Sequence, residues 1–111
     1  MREADIQNLI RIELSKYAIV FRANVGKVRM ADGRFFDTGL PKGFSDLFGL
    51  RKSDGKLFFL EVKDANGKLR KEQEHFLEQM SEYDVITGVA ISAEEAIEIV
   101  LEGRKWIKKH C

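Results

Sequence analysis

Residues 46–63, "DLFGLRKSDGKLFFLEVK", contain two runs of strand-forming residues on either side of a polar turn. The runs 46–50 and 56–62 are rich in Phe, Leu and Val, and the residues between them include an Asp-Gly pair, which favours tight turns. The segment therefore predicts an antiparallel hairpin. In such a hairpin Asp46, at the start of the first strand, lies close to the end of the second.

Alternate side chains of the second strand point to opposite faces of the sheet. One face is wholly apolar and consists of Phe58, Leu60 and Val62. The other face begins with two apolar residues and ends with Glu61 and Lys63. A carboxylate and an ammonium group at the rim of an apolar face are costly unless they pair or serve a purpose. A surface ion pair on a strand that runs out into solvent is the alternative interpretation.

The remainder of the chain adds helices and further strands to this hairpin. The spacing of apolar residues predicts helices over residues 2–17, 69–83 and 92–103, a hairpin over 27–36, and strands over 18–24 and 85–92. This order predicts a single α/β domain over residues 1–111, with a small mixed sheet of hairpin strands and helices on both faces. The basic tail, residues 104–111, is interpreted as a flexible segment, a DNA contact or a subunit contact.

Composition excludes several classes of protein. With 19 basic and 18 acidic residues the formal net charge is only +1, which argues against a polybasic protein but leaves room for a local basic patch. The only cysteine, Cys111, cannot form a disulfide framework or a cysteine-based zinc site within the chain. The N-terminus lacks the apolar run of a signal peptide, and no stretch reaches the roughly 20 apolar residues that cross a membrane. We therefore expect a cytoplasmic protein without membrane contact.

The predicted hairpin brings two carboxylates and an amine together. Asp46 and Glu61 come from adjacent strands, and Lys63 lies beside them. Mg²⁺ and Mn²⁺ are held in proteins by oxygen ligands from one or two acids, backbone carbonyls and water. The three residues therefore indicate a divalent-metal site, although Asp46 alone is equally compatible with an ordinary acid at a strand edge.

Asp46 followed by "EVK" at 61–63 is the D…ExK core of the PD-(D/E)xK nucleases, and the chain as a whole resembles a stand-alone virus-type replication-repair nuclease (VRR-NUC) domain of that superfamily. The matching segments, spanning residues 3 to 96, are "EADIQNLI", "VFRANVGK", "KGFSDLFGL", "LFFLEVK", "GKLRKEQ" and "GVAISAEEA". The resemblance implies a restriction-endonuclease-like core. The sequence departs from the family pattern at Ser45, where the family commonly has proline.

The resemblance also implies which residues bind the metal, Mg²⁺ or Mn²⁺. Asp46 and Glu61 would be the metal-binding acids, and the backbone carbonyl of Val62 is often a third ligand in the family. Glu3 matches the acid of the family's first helix, which reaches the metal directly or through water. Taken by position alone, Glu3 is equally an acid in the first turn of a helix, where it suits the helix dipole.

Two further catalytic residues and a DNA-contacting set follow from the same resemblance and from the local charge. Lys63 would position the attacking water, and Gln73 matches the helix glutamine that lies beside this lysine. Gln73 would otherwise be a surface residue of its helix or a hydrogen-bonding group in the core. The residues expected near the flanking phosphates are Arg22, Lys27, Lys42, Gly43, Lys68, Arg70 and Lys71.

The function expected from these observations is hydrolysis of DNA phosphodiester bonds by a divalent-metal-dependent endonuclease. No base-reading motif is present, so DNA structure is the expected cue, with Holliday junctions or flaps as substrates. The resemblance implies a homodimer that resolves junctions, in DNA repair or in a phage-encoded setting. The alternatives are an exonuclease, a nicking or restriction-type nuclease, a non-catalytic DNA-binding module of the same fold, and an α/β domain with ordinary surface charges.

Overall fold

The computed structural model describes residues 1–108 and follows the predicted order of elements. The elements are α1 (Glu3–Leu14), β1 (Ala18–Arg22), β2 (Lys27–Arg29), β3 (Phe35–Asp37), β4 (Leu47–Arg51), β5 (Leu57–Val62), α2 (Lys71–Met80), β6 (Ile86–Ala90) and α3 (Ala93–Glu102). None of the helices in residues 1–108 has the length and apolar character needed to cross a bilayer.

The first two helices are shorter than the apolar spacing predicts. Each ends before a serine whose hydroxyl donates a hydrogen bond to a carbonyl of the preceding turn: Ser15 to Ile12 at 2.5 Å and Ser81 to Leu77 at 2.7 Å. Such bonds compete with the backbone bonds that would continue a helix. The third helix begins and ends as predicted, with Ser92 accepting from the backbone of Glu95 at 3.1 Å and a left-handed glycine at the C-terminus.

The main sheet has four strands in the order β1-β4-β5-β6. The two pairs β1/β4 and β4/β5 are antiparallel, whereas β5 and β6 are parallel and are connected through α2. The β4–β5 hairpin pairs Leu47 with Leu60, which brings the start of β4 to the end of β5 as predicted. β2 and β3 form a separate two-stranded sheet.

The two faces of β5 enter two different cores. Phe58 and its same-face neighbours pack with the buried residues of α1 and α3. Phe59, on the opposite face, packs with Phe76 and Leu77 of α2. The helices therefore lie on both faces, and Glu61 shares the face that α2 covers.

The first part of the tail is docked on the body of the protein. The backbone N–H of Trp106 donates to Thr87 Oγ1 at 2.8 Å, and the ring packs with the cluster around Phe59. Lys105 Nζ donates to the carbonyl of Ser81 at 3.0 Å, just beyond the end of α2. These contacts give residues 105 and 106 structural roles. Residues 109–111 of the predicted tail lie outside the described part, and a DNA or subunit contact of the tail stays a prediction.

Candidate active site

Asp46 lies immediately before β4 and is bonded to both neighbouring strands. Its Oδ2 accepts a hydrogen bond from the backbone N–H of Val62 at 2.8 Å. Its carbonyl accepts from the N–H of Ala23 at 2.9 Å, just after β1. Since Val62 follows Glu61 in β5, this anchoring brings the two carboxyl groups together at one corner of the sheet.

Glu61 is fully buried, at 0% exposure, although it is an acid. Its Oε1 accepts a hydrogen bond from Gln73 Nε2 at 3.1 Å. Its Oε2 is buried and has no hydrogen-bond partner among the residues that the structure describes. A buried carboxyl oxygen without a partner costs free energy, so its presence in a folded protein suggests a ligand.

The charge state of Glu61 follows from this environment. Burial raises the pKa of Glu61 from its ordinary 4.5 to about 9, and the neighbouring carboxyl group of Asp46 acts in the same direction. The charges of Lys63 and Arg70 lower this pKa but do not offset the increase. At neutral pH the metal-free protein therefore keeps a proton on Glu61. A cation that replaces this proton would satisfy the buried oxygen.

Gln73 is oriented by its position in the first turn of α2. Its Oε1 accepts from the backbone N–H of Arg70 at 2.9 Å, the residue just before the helix. Because the carbonyl oxygen of the amide is used there, the amide nitrogen must point toward Glu61. Gln73 is 4% exposed, so this bridge between the helix start and the acid is buried.

Lys63 lies beside the acids without forming a contact ion pair. Its backbone N–H donates to the carbonyl of Ala90 at 3.1 Å, and its side chain is packed under the turn at Gly67. Among the ion pairs within 4.0 Å in residues 1–108, none includes Lys63. The residue is 8% exposed and is close enough for its charge to lower the pKa of Glu61.

The pair of acids provides part of what a divalent metal requires. Within residues 1–108 no three His, Cys, Asp or Glu side chains form a group that could hold a metal. Glu3, partly exposed in the first turn of α1, is therefore not gathered with Asp46 and Glu61, and its metal contact stays a prediction. Mg²⁺ commonly takes one or two carboxylates and keeps several waters. Two acids and the unsatisfied oxygen of Glu61 fit that mode of binding.

Six of the seven residues expected near phosphates are exposed cations. They are Arg22, Lys27, Lys42, Lys68, Arg70 and Lys71. Two of them share a partner, since Lys42 Nζ lies 3.8 Å and Arg70 Nε 3.4 Å from Oε1 of Glu72. Arg70 also lowers the pKa of Glu61, which agrees with the expectation that this residue lies near the acids.

The loop before Asp46 is shaped by a glycine and a serine. Gly43 is buried with φ 96°, and a Cβ there would overlap the carbonyl oxygen of Glu72 in α2. This contact accounts for the glycine without a DNA contact, which stays a prediction. Ser45 is fully buried and donates from Oγ to the carbonyl of Leu47 at 2.9 Å. This hydrogen bond shapes the loop where the resembled family commonly uses proline.

A family model described as the VRR-NUC domain matches residues 1–94. The chain belongs to the VRR-NUC family. A solved structure described as a VRR_NUC domain superposes with a TM-score of 0.64, covering 89% of this chain and 94% of that chain at 20% sequence identity. A comparison with curated proteins found no match. VRR-NUC domains are a nuclease family, so the predicted family and fold are confirmed and the chain is a nuclease-family domain.

Proposed function

We propose that this VRR-NUC domain is a Mg²⁺- or Mn²⁺-dependent endonuclease that cleaves DNA at branches such as Holliday junctions or flaps. The observation that supports it most is the buried pair of acids, in which Oε2 of Glu61 has no partner among the described residues. An ordinary surface ion pair does not account for an acid with 0% exposure at the end of a strand. The proposal places the enzyme in the bacterial cytoplasm, in DNA repair or encoded by a phage.

The proposed metal ligands are Asp46, Glu61 and the backbone carbonyl of Val62, with Glu3 reaching the metal through water. When bound, the metal supplies a Lewis acid for the phosphate and lowers the pKa of a bound water. Asp46 is fixed for this role because its other oxygen is bonded to the β5 backbone. This bond leaves Oδ1 of Asp46 for the cation.

Lys63 and Gln73 are the proposed residues around the reacting water. Lys63 is nearly buried and forms no ion pair within residues 1–108, so its ammonium group can orient the water and offset negative charge at the phosphorus. Gln73 holds Glu61 in place from the first turn of α2. It is a positioning residue because it acts through the acid.

A homodimer is the proposed assembly because one domain has one site and a junction has two strands to cut. Two-fold symmetry would present two equivalent sites to the two strands. Exposed cations lie at the end of β1 (Arg22) and in the loop before α2 (Lys68 and Arg70). These positions flank the acids, where the cations can neutralise phosphates. Selection by DNA structure is consistent with a protein that has phosphate-binding charges and no base-reading motif.

The test is cleavage of a labelled four-way junction, linear duplex and single strand, each with and without Mg²⁺. We expect symmetric nicks at the branch that depend on the metal. Asp46→Asn and Lys63→Ala should abolish cleavage and keep DNA binding, with circular dichroism confirming that both fold. Asp64→Asn is the matched control, because the Asp64 side chain accepts from the N–H of Asn66 at 2.9 Å, which asparagine can also do.

Each alternative predicts a different result in the same assay. Progressive digestion from the ends would indicate an exonuclease, and cleavage of linear duplex at one sequence would indicate a restriction-type enzyme. Binding without cleavage in either metal would indicate a non-catalytic module. If Asp46→Asn and Lys63→Ala both cleave DNA at the wild-type rate, the site is assigned wrongly.

A further inference from the structure

Residues 27–37, here called the β2–β3 arm, project from the domain without a core of their own. Every residue of the arm is exposed, including Phe35 at 66% and Phe36 at 58%. No side chain of the arm belongs to either core cluster formed by the described residues. A two-stranded ribbon is marginally stable by itself, and exposed rings on such a ribbon mark a surface that contacts a partner.

The arm leaves the domain at the corner that holds the acids. Ala23, between β1 and the arm, donates its N–H to the carbonyl of Asp46 at 2.9 Å. At the other end of the arm, Thr38 donates its N–H to the carbonyl of Gly26 at 2.9 Å, which closes the base. A nucleic acid bound at Asp46 would therefore lie beside the arm.

One face of the arm combines two cations with an exposed ring. Arg29 pairs directly with Phe35 across the strands, so both side chains point to the same face, and Lys27 lies two residues before Arg29 on that face. None of the ion pairs within residues 1–108 includes Lys27 or Arg29. Their charges are available to an anionic partner.

The acidic side chains of the arm form bonds with neighbouring residues of the chain. Asp32 forms an ion pair with Arg34 at 2.7 Å across the turn. Asp37 Oδ1 accepts from the backbone N–H of Gly39 at 2.8 Å. Asp37 also lies directly across from Lys27, so the positive charge of this face is concentrated at Arg29 beside Phe35. A cation next to an exposed ring is a combination that binds single-stranded or unstacked nucleic acid.

We propose that the β2–β3 arm contacts the branch of the DNA substrate, with an unstacked base on Phe35 and the adjacent phosphates near Lys27 and Arg29. This inference rests on the proposed nuclease function and narrows its substrate class to DNA with unpaired or splayed bases close to the scissile bond. A continuous duplex offers no free base face to the ring. A second copy of the chain is the competing occupant, because Phe, Met and Arg are also enriched at subunit interfaces, and the light-scattering measurement below tests it.

The experiment measures binding to a four-way junction that carries 2-aminopurine at the branch, in the absence of metal. Phe35→Ala should lose the fluorescence change that accompanies stacking and bind the junction about tenfold more weakly, with linear duplex binding little changed. Arg29→Ala should lower the salt dependence of binding by about one counterion. Tyr83→Ala is the control, because this tyrosine is 60% exposed and precedes β6 at the opposite end of the sheet.

The outcomes separate this inference from the proposed function. If wild-type protein cleaves the junction with Mg²⁺ while Phe35→Ala binds and cleaves it equally well, the arm contact is wrong and the nuclease function stands. Light scattering measures the molar mass of each variant in solution. If the wild type is a dimer and Phe35→Ala is a monomer, the arm is a subunit contact and the proposal is overturned. Melting temperatures of Phe35→Ala and Arg29→Ala equal to that of the wild type would show that weaker binding comes from the lost side chain and not from unfolding.

Discussion

Replacing Glu61 with glutamine should stabilise the metal-free protein at neutral and alkaline pH. Burial raises the pKa of Glu61 from 4.5 to about 9, so between these values the folded chain keeps a proton that the unfolded chain releases. The contribution to stability is complete below pH 4.5 and is lost as the pH rises toward 9, by about 1.4 kcal/mol per unit. At pH 7.5 the wild type has lost about 4 kcal/mol of unfolding free energy in this way. Glu61→Gln does not lose it, because glutamine is a neutral analogue of the protonated acid.

The assay is urea unfolding with EDTA at pH 5, 7 and 8.5. The wild type should lose stability across this range, whereas Glu61→Gln should be nearly independent of pH in the same interval. The two proteins should be about equally stable at pH 5. Glu78→Gln, at an exposed position of α2, is the control and should follow the wild type. Parallel curves for wild type and Glu61→Gln would refute the reasoning, since Glu61 would then ionise normally in the fold.

Added Mg²⁺ or Mn²⁺ extends the same measurement. A ligand that binds only the folded state raises its stability, and a metal that displaces a proton binds more tightly as the pH rises. Metal should therefore offset most of the wild-type loss at pH 8.5 and change Glu61→Gln little. Equal stabilisation of both proteins would show that the cation binds elsewhere.

Two predictions concern residues outside the acid pair. Gly43→Ala should destabilise the protein by about 3 kcal/mol or more in urea unfolding, because its Cβ would overlap the backbone of Glu72 at positive φ, while Gly33→Ala, with open space around it, should cost about 1–2 kcal/mol. Equal costs would mean that the loop moves freely away from α2. Arg51 holds the pKa of Asp54 at about 2, below its ordinary 3.8, so Asp54→Asn should be less stable than wild type at pH 7, and the difference should shrink as the pH falls from 4 toward 2. A difference that stays constant between pH 5 and pH 2 would contradict this ion pair as its cause.

The sequence predicted the corner of the sheet because its causes are local. Because side chains alternate along β5, Glu61 faces away from Phe58. Because the turn after β4 is short, β5 runs back along β4 and its end comes to lie beside Asp46. Both features are readable from 18 consecutive residues of the sequence. The roles of these acids remain predictions that the experiments above test.

Other properties of the site depend on tertiary packing and were not readable from sequence. Glu61 is fully buried only because α2 covers its face, and the double hydrogen bond of Gln73 depends on where that helix begins. The distance of Glu3 from the acids depends on how α1 packs against the sheet. The exposure of Phe35 was also missed, because a strand-forming sequence does not reveal which strands receive a covering helix.

The central claim is that Asp46 and Glu61 together hold a divalent cation. Calorimetric titration with Mn²⁺ at pH 7.5 tests it most directly, using wild type, Asp46→Asn, Glu61→Gln and the Asp64→Asn control. The account predicts binding by wild type and Asp64→Asn, with release of a proton, and loss of binding in the other two variants. Undiminished Mn²⁺ binding by both Asp46→Asn and Glu61→Gln would contradict it.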